Sequence, residues 1–177
     1  MIKLCAFSDE ASDSVEGQIT ALSRNNIKLI ELRSIGGVNV KDFTDEQARD
    51  YAKKLVENGI KVWSIGSPLG KIDIAENFSE YEKTVRRVYE IANIFECDKV
   101  RVFSFYNAYG ESEKVFENLR RMVKIAGEYG ITLYHENEKG VYGDVVWRVE
   151  NIAANVSGLK FVFDPANYVQ EGEDVTA

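Results

Sequence analysis

The chain has 177 residues, of which 45% are hydrophobic and 29% charged, and its formal net charge is −7 at pH 7. This length and composition predict one globular domain over residues 1–177 with enough apolar material for a core. The acidic charge disfavours nucleic acid as a partner, and no apolar run approaches a membrane span. The amino-terminal segment lacks the apolar run of a signal peptide, so a cytoplasmic protein is expected.

A short sequence unit recurs along the chain before each predicted strand. The stretches "NGIKVWSI", "YGITLYHE" and "SGLKFVFD" each open with a turn residue, add Lys or Thr, and then run apolar. Six strands are predicted, at residues 2–8, 27–34, 60–67, 99–105, 131–137 and 159–164. Apolar residues spaced by three or four predict an amphipathic helix in each interval. Ser14, Thr44 and either Asn77 or Ser79 are the predicted helix N-caps.

The strict alternation of strand and helix predicts parallel strands joined by right-handed crossovers. Two architectures fit, an open doubly wound sheet and an incomplete (β/α)8 TIM-barrel type fold with about six βα units. The first strand is followed by the acidic stretch "SDEASDS" and not by a Gly-rich phosphate loop, which disfavours a nucleotide-binding fold. Polar residues end every predicted strand, and in a barrel those ends converge on one mouth. The barrel is therefore favoured.

Two carboxylates stand where the other repeats place apolar residues. Glu136 is the fifth residue of "TLYHE", and Asp164 is the fifth residue of "KFVFD". An unpaired buried carboxylate costs several kcal/mol. A divalent cation would offset that cost, because oxygen ligands suit such ions. The alternative is that each carboxylate forms a structural salt bridge or caps a loop.

The stretch "HENEKGVYGD" followed by "FDPANYV", together with "SDE", "IELR" and "SIGSPLGK", resembles the sugar phosphate isomerase/epimerase family of xylose-isomerase-like TIM barrels. The resemblance implies a metal-dependent isomerase or epimerase acting on a sugar, a sugar-like polyol or a keto sugar through an enediolate. In that family Glu of strand 5, Asp of strand 6, His of strand 7 and Glu of strand 8 hold one divalent metal (Mn²⁺, Mg²⁺, Zn²⁺ or Co²⁺). The first two carry over to Glu136 and Asp164, and Glu136 is also the candidate catalytic base.

The sequence also differs from the family's pattern at several positions. The family's ligands on strands 7 and 8 have no counterpart in this sequence, so metal binding is expected to be weak or absent and activity of the chain alone is an open question. Asn167 stands where many relatives place a His. The alternatives are a sugar-binding module or a non-catalytic partial barrel. Exposed strand edges would be covered in a homo-oligomer or by a complementary chain.

Several polar residues near the predicted strand ends are candidates for substrate contacts. Glu31 interrupts an apolar strand and lies near the sugar in relatives, or it pairs with Arg33 or Arg101. In "SPLGK", Lys71 can meet an anionic group as a point charge, or it is a solvated loop lysine. His135 points to the face opposite Glu136, because neighbours on a strand alternate, and is more typical of a barrel wall. The predicted substrate contacts are Glu31, Ser67, Lys71, Arg101, His135 and Asn167.

Overall fold

Six strands alternate with six helices along the chain in the computed structural model, which describes residues 2–176. The strands are β1 (Cys5–Ala6), β2 (Leu29–Leu32), β3 (Lys61–Gly66), β4 (Lys99–Val102), β5 (Thr132–Glu136) and β6 (Lys160–Val162). The helices are α1 (Val15–Arg24), α2 (Asp45–Glu57), α3 (Phe78–Ile94), α4 (Ser112–Glu128), α5 (Val146–Asn155) and α6 (Pro165–Gln170). None of these helices is both long and apolar enough to cross a bilayer.

Each strand lies inside its predicted range but is shorter than predicted, and β1 keeps only two of the residues predicted at 2–8. The excess residues form other local structure. Ser8–Glu10 and Val40–Asp42 form single turns of 3-10 helix. Ser34 was predicted to belong to the second strand. In the structure, Ser34–Ile35 pairs antiparallel with Val38–Asn39 in a short hairpin that the sequence pattern did not predict.

The predicted N-caps explain where the helices begin. The Ser14 hydroxyl accepts a hydrogen bond from the backbone N–H of Gly17. Thr44 and Gln47 form a reciprocal capping box at the start of α2. Asn77 accepts from the N–H of Ser79 at 2.9 Å, so Asn77 is the one of the two candidates that acts as the cap before α3. Such caps each stabilise a helix by about 1 kcal/mol.

The described chain divides into two compact units, and the boundary between them falls within α3 and β4. The first unit comprises residues up to Ser67 together with Arg87–Val100, and the second comprises Pro68–Arg86 together with residues from Arg101 onwards. The prediction of a single domain over 1–177 stays a prediction.

In the first unit, β1 pairs in parallel with β2, and β2 pairs in parallel with β3. Ile30 and Leu32 on β2 are completely buried and belong to the core. The register of β2 against β3 shifts between Ile30 and Glu31. At this irregularity Glu31 stands opposite Ser64 of β3.

In the second unit, β5 and β6 pair in parallel, with Glu136 opposite Val162. Asp164 lies two residues beyond Val162, after β6 has ended. The α4 helix buries an apolar stripe that includes Val115, Leu119, Met122 and Ala126. The loop after β3 and the segment after β4 are held together by hydrogen bonds from Phe103 N–H to Leu69 O and from Phe105 N–H to Gly70 O.

Gly70 is required where this loop meets the segment after β4. Its φ is +88°, and a Cβ added there would lie 2.1 Å from the carbonyl oxygen of Phe103. We expect Gly70→Ala to lower the free energy of unfolding by about 2 kcal/mol or more, because the clash adds to the cost of left-handed backbone. Urea unfolding measures this change. Gly110→Ala is the control: a Cβ there meets no atom within 4 Å. An equal effect of both substitutions would contradict the prediction.

Candidate functional site

A buried ion pair connects the end of β4 with the end of β5 in the second unit. Nη1 of Arg101 lies 2.9 Å from Oε2 of Glu136. Arg101 is 8% exposed and Glu136 6% exposed, so both charges are withdrawn from water. A buried charge is tolerated when an opposite charge compensates it. The salt-bridge alternative raised by the sequence therefore describes Glu136 in this structure.

A second ion pair lies against the same aromatic ring. Nζ of Lys71 is 2.6 Å from Oε2 of Glu138 and 4.2 Å from the centroid of the Phe103 ring. The guanidinium carbon of Arg101 is 5.2 Å from that centroid. Phe103 is thus contacted by both cations, an arrangement worth roughly 0.5–2 kcal/mol for each cation. Lys71 thus forms an ion pair in this structure while its side chain stays 32% exposed, and its predicted contact with substrate stays a prediction.

The backbone is strained just beyond β4. Phe105 is completely buried and has a φ of +73°, in the left-handed region that bulky residues rarely adopt. Its N–H donates to the carbonyl of Gly70, and its carbonyl accepts from the N–H of Tyr142 at 3.1 Å. Strain of this kind costs about 1–3 kcal/mol and concentrates at functional sites. No sequence pattern indicated this position.

Asp164 serves as a helix cap in a network with two asparagines. Its Oδ1 accepts from the N–H of Asn167 at 3.0 Å, which starts α6. The side chain of Asn137 accepts from the N–H of Asp164 and donates to its carbonyl, both at 2.8 Å. Asn167 Nδ2 donates to the carbonyl of Asn137. The loop-cap alternative thus describes Asp164. The sequence reasoning missed Asn137, and its one signal was a polar residue directly after an apolar strand.

The donor atoms of these residues decide whether a metal would fit. One oxygen of Glu136 binds Arg101, and one oxygen of Asp164 caps α6. Within residues 2–176, no three or more His, Cys, Asp or Glu side chains are grouped so as to hold a metal ion. A calcium ion takes about 6–8 oxygen ligands, and a magnesium ion needs near-ideal octahedral geometry. The described residues do not assemble such a site, and the metal role of Glu136 and Asp164 stays a prediction.

His135 lies on the opposite face of β5 from Glu136 and is completely buried. Its ring packs edge-on against Phe161, with the ring centroids 6.0 Å apart. A Cβ at Gly143 would lie 2.5 Å from Cε1 of His135, so the glycine makes room for the imidazole. Burial lowers the pKa of His135 to about 3. The residue is a neutral part of the wall, and its predicted contact with substrate stays a prediction.

The buried imidazole makes a specific contribution to the pH dependence of stability. In the unfolded chain His135 takes up a proton near its ordinary pKa of 6.5, whereas the folded protein resists protonation until about pH 3. The stabilisation is therefore present above the unfolded pKa and is lost as the pH falls. Between about pH 6 and 4.5 we expect the wild type to lose up to about 2 kcal/mol more than His135→Leu. Urea unfolding measures both profiles, and parallel profiles would contradict this expectation.

The first unit places its own polar residues at strand ends. Oε2 of Glu31 accepts a hydrogen bond from the Ser64 hydroxyl at 2.8 Å. Arg33 forms ion pairs with Asp9 and Glu10, each at 3.0 Å. Ser67 is buried, and it follows β3 as the last residue of this unit's first segment. The predicted pairing of Glu31 with Arg101 stays a prediction, as do the substrate contacts of Glu31 and Ser67.

Parallel strands alternating with helices, with polar side chains at the strands' carboxyl ends, define a protein of the βα-barrel class. The model of the family "xylose isomerase-like TIM barrel" matches residues 19–177, and the chain belongs to this family. The predicted family and the predicted fold class, an incomplete barrel of about six βα units, are confirmed.

Solved structures with this fold carry several different activities in their names. The probable 3-DHS dehydratase AsbF of Bacillus anthracis has 17% sequence identity and a TM-score of 0.78, with 98% of this chain and 66% of that chain covered. An AP endonuclease of family 2 from Brucella melitensis has 15% identity and a TM-score of 0.78, with 99% and 73% covered. The 3-keto-D-glucoside 4-epimerase of E. coli has 10% identity and a TM-score of 0.72, with 98% and 71% covered.

At these identities the likeness shows the fold alone. The chain spans 66% to 73% of the length of these three proteins. A comparison with curated proteins gives no significant match.

Proposed function

We propose that the chain carries the proton-transfer site of an isomerase or epimerase that acts on a sugar, a sugar-like polyol or a keto sugar. The observation that carries this proposal is the Glu136 carboxylate, buried against Arg101 at the carboxyl end of β5. Members of this fold class draw catalytic residues from the carboxyl ends of their strands. An ionised carboxylate withdrawn from water at that end is suited to act as a base.

The proposed step begins at the carbon beside the substrate's carbonyl group. Glu136 removes the proton of that carbon, and the electron pair of the C–H bond moves to form the enediolate. Glu136 then holds the proton as a carboxylic acid and can return it to the same carbon. In an isomerisation Glu136 returns the proton to the former carbonyl carbon, and the adjacent hydroxyl group gives its proton to the former carbonyl oxygen as it becomes the new carbonyl. An epimerisation also needs a second proton donor on the other face of that carbon. In this proposal Glu136 carries out the first half of the reaction.

Arg101 and Lys71 supply the positive charge in this scheme. As Glu136 becomes neutral, the positive charge of Arg101, which lies 2.9 Å from the carboxyl group, stabilises the enediolate oxygen that gains the negative charge. Preorganised cations aimed at developing negative charge are among the largest contributions to catalysis, about 2.7–4 kcal/mol for one donor in a measured case. Lys71 contacts the same Phe103 ring as Arg101 and forms an ion pair with Glu138. This position of Lys71 supports a contact with the substrate's polar end.

The names of the structural neighbours support a shared enediolate or enolate intermediate. They do not point to one particular product. One neighbour is named as an epimerase of a keto-glucoside, and another as a dehydratase. Both reaction types can start with loss of a proton beside a carbonyl. A third neighbour is named as an AP endonuclease, but a net charge of −7 disfavours a nucleic acid substrate for this chain.

Hydrogen exchange tests the half-reaction directly. The 177-residue protein is incubated with ketoses and keto sugars in deuterated water, and the substrates are then examined by NMR. We expect deuterium at the carbon beside the carbonyl in at least one substrate, at a rate above that of heat-unfolded protein. Exchange is measured with and without added Mn²⁺ or Mg²⁺. No exchange above the unfolded control under either condition would overturn the proposal.

A second candidate role, self-association, is favoured by exposed apolar side chains near the outer strands of the two units. In the second unit Phe163 is 64% exposed and Phe161 38% exposed, and in the first unit Ile2 is 91% exposed. Exposed apolar clusters mark interaction sites in soluble proteins. We therefore expect a homo-oligomer. Light scattering after size exclusion measures the mass at several concentrations, and a single 20.0 kDa species at all of them would contradict this role.

A further inference from the structure

A cleft of about 530 Å³ lies in the first unit, at the amino-terminal end of β3. Its volume is within the range of small-molecule sites, about 300–1,000 Å³. The apolar part of its lining comes from the second half of α2, the start of β3 and the end of α3. These residues are Leu55, Val56, Ile60, Ile94 and Phe95. All residues that line the cleft belong to the first unit, whereas Arg101 and Glu136 of the proposed reaction site belong to the second.

One residue that lines this cleft has a backbone conformation unusual for its type. Left-handed residues occur in the turns that lead into β2, β3, β4, β5 and β6, and they are Asn26, Gly59, Glu96, Gly130 and Gly158. Glycine adopts this conformation freely and asparagine tolerates it. Glu96 has a φ of +51°, although a glutamate residue is strained in this conformation. A glycine would be less strained at this helix end, and the residue that stands there instead places a carboxylate on the lining of the cleft.

The charges around the cleft are of both signs. Glu96 follows the carboxyl end of α3, and α2 ends two residues before Gly59, which also lines the cleft. Carbonyl groups at helix ends carry partial negative charge, so they add to the Glu96 carboxylate in favouring a cation. Lys53 and Lys61 are exposed on the lining and favour an anion. Lys53 has a loose ion pair with Glu57, at 3.9 Å on the surface, which is weak enough to be exchanged.

A ligand that matches this lining has an apolar body, a cationic group and an anionic group. We propose that the cleft binds a free α-amino acid with an apolar side chain. Its ammonium group lies at Glu96 and the helix ends, and its carboxylate lies between Lys53 and Lys61. Its side chain packs on Leu55 and Phe95. The inference does not depend on the proposed reaction, and its test uses binding alone.

Calorimetric or NMR titration of the whole chain tests the proposal with L-leucine and L-phenylalanine. Two analogues of leucine remove one charge each: 4-methylpentanoate lacks the ammonium group, and isoamylamine lacks the carboxylate. We expect saturable binding of at least one amino acid, and at least about tenfold weaker binding of each analogue. Absence of saturation by either amino acid up to about 10 mM would overturn the proposal. Equal affinity for leucine and either analogue would also overturn it.

The variant Glu96→Gly separates binding from folding. It removes the carboxylate and relieves the left-handed strain, so we expect a melting temperature raised by about 2–4 °C and at least about tenfold weaker binding of the amino acid. Glu117→Gln, an exposed carboxylate on α4, is the charge-matched control and is expected to bind like the wild type. Lys61→Gln should weaken amino acid binding and leave isoamylamine binding unchanged. Unaltered amino acid binding by Glu96→Gly would overturn the assignment.

Discussion

Replacing Glu136 with Gln is expected to slow the exchange of the proton beside the substrate's carbonyl by at least about 100-fold. The amide of Gln has the shape of the carboxylate and still offers an oxygen to Arg101, but it cannot accept the substrate's proton. The rate of deuterium incorporation in the exchange assay measures the effect. Circular dichroism and urea unfolding establish that the variant is folded under the assay conditions, because the loss of charge also weakens the buried ion pair with Arg101.

Glu138→Gln is the matched control for this substitution. Glu138 stands two residues further along and also pairs with a cation, but it is more exposed than Glu136. Because its proposed role is to hold Lys71, we expect a change in apparent substrate affinity and at most a small change in the exchange rate at saturation. Full exchange by the Glu136→Gln variant would remove Glu136 from the role of base. Equal loss in both variants would indicate a general effect of charge at this strand end.

Replacing Arg101 with Met is expected to lower the free energy of unfolding by about 3–5 kcal/mol. The substitution leaves the Glu136 carboxylate buried without the cation that lies 2.9 Å away in the wild type. Met fills a similar volume, so the loss of charge compensation dominates over any cavity. Urea unfolding at neutral pH measures the change. A change below about 1 kcal/mol would show that water or another group compensates the carboxylate.

The double variant Arg101→Met, Glu136→Met distinguishes charge compensation from packing. Because replacing both members of a buried ion pair with apolar residues is often neutral or stabilising, we expect it to recover most of the lost stability. Lys71→Met is the surface counterpart, since Lys71 and Glu138 have side chains 32% and 23% exposed. We expect it to cost only about 1 kcal/mol or less. A double variant no more stable than Arg101→Met would show that Arg101 stabilises the fold through contacts other than Glu136.

For the candidate site, the sequence predicted the residues better than it predicted their partners. The residues Arg101, Glu136, Asp164 and Asn167 were all identified as candidates, because polar residues at the ends of apolar strands are conspicuous. Their partners were harder to predict. Glu136 pairs with Arg101, and Asp164 caps α6 within a network that includes Asn137. The equivalence of Glu136 and Asp164 in the repeat predicted a shared cation, which stays a prediction, and the sequence did not predict the protein partner that each carboxylate has.

The strained and closely packed features were not predictable from pattern. The positive φ of Phe105 depends on hydrogen bonds to Gly70 and Tyr142, residues more than 30 positions away in opposite directions along the chain. The same holds for the contact of the Phe103 ring with Lys71, which lies more than 30 positions earlier in the chain. Sequence periodicity reports which face of an element is apolar, but it carries no information on which distant residue lies opposite.

What the sequence determined by itself is the local order of this protein. Turn residues, helix caps and apolar spacing predict the six parallel strands and the five helices between them, because these signals act over a few neighbouring residues. Only the tertiary structure decided which charges meet. An ion pair such as Arg101 with Glu136 joins residues from different strands, so its geometry follows from strand register and side-chain packing. The left-handed backbone of Glu96 likewise became meaningful only when the cleft beside it was seen.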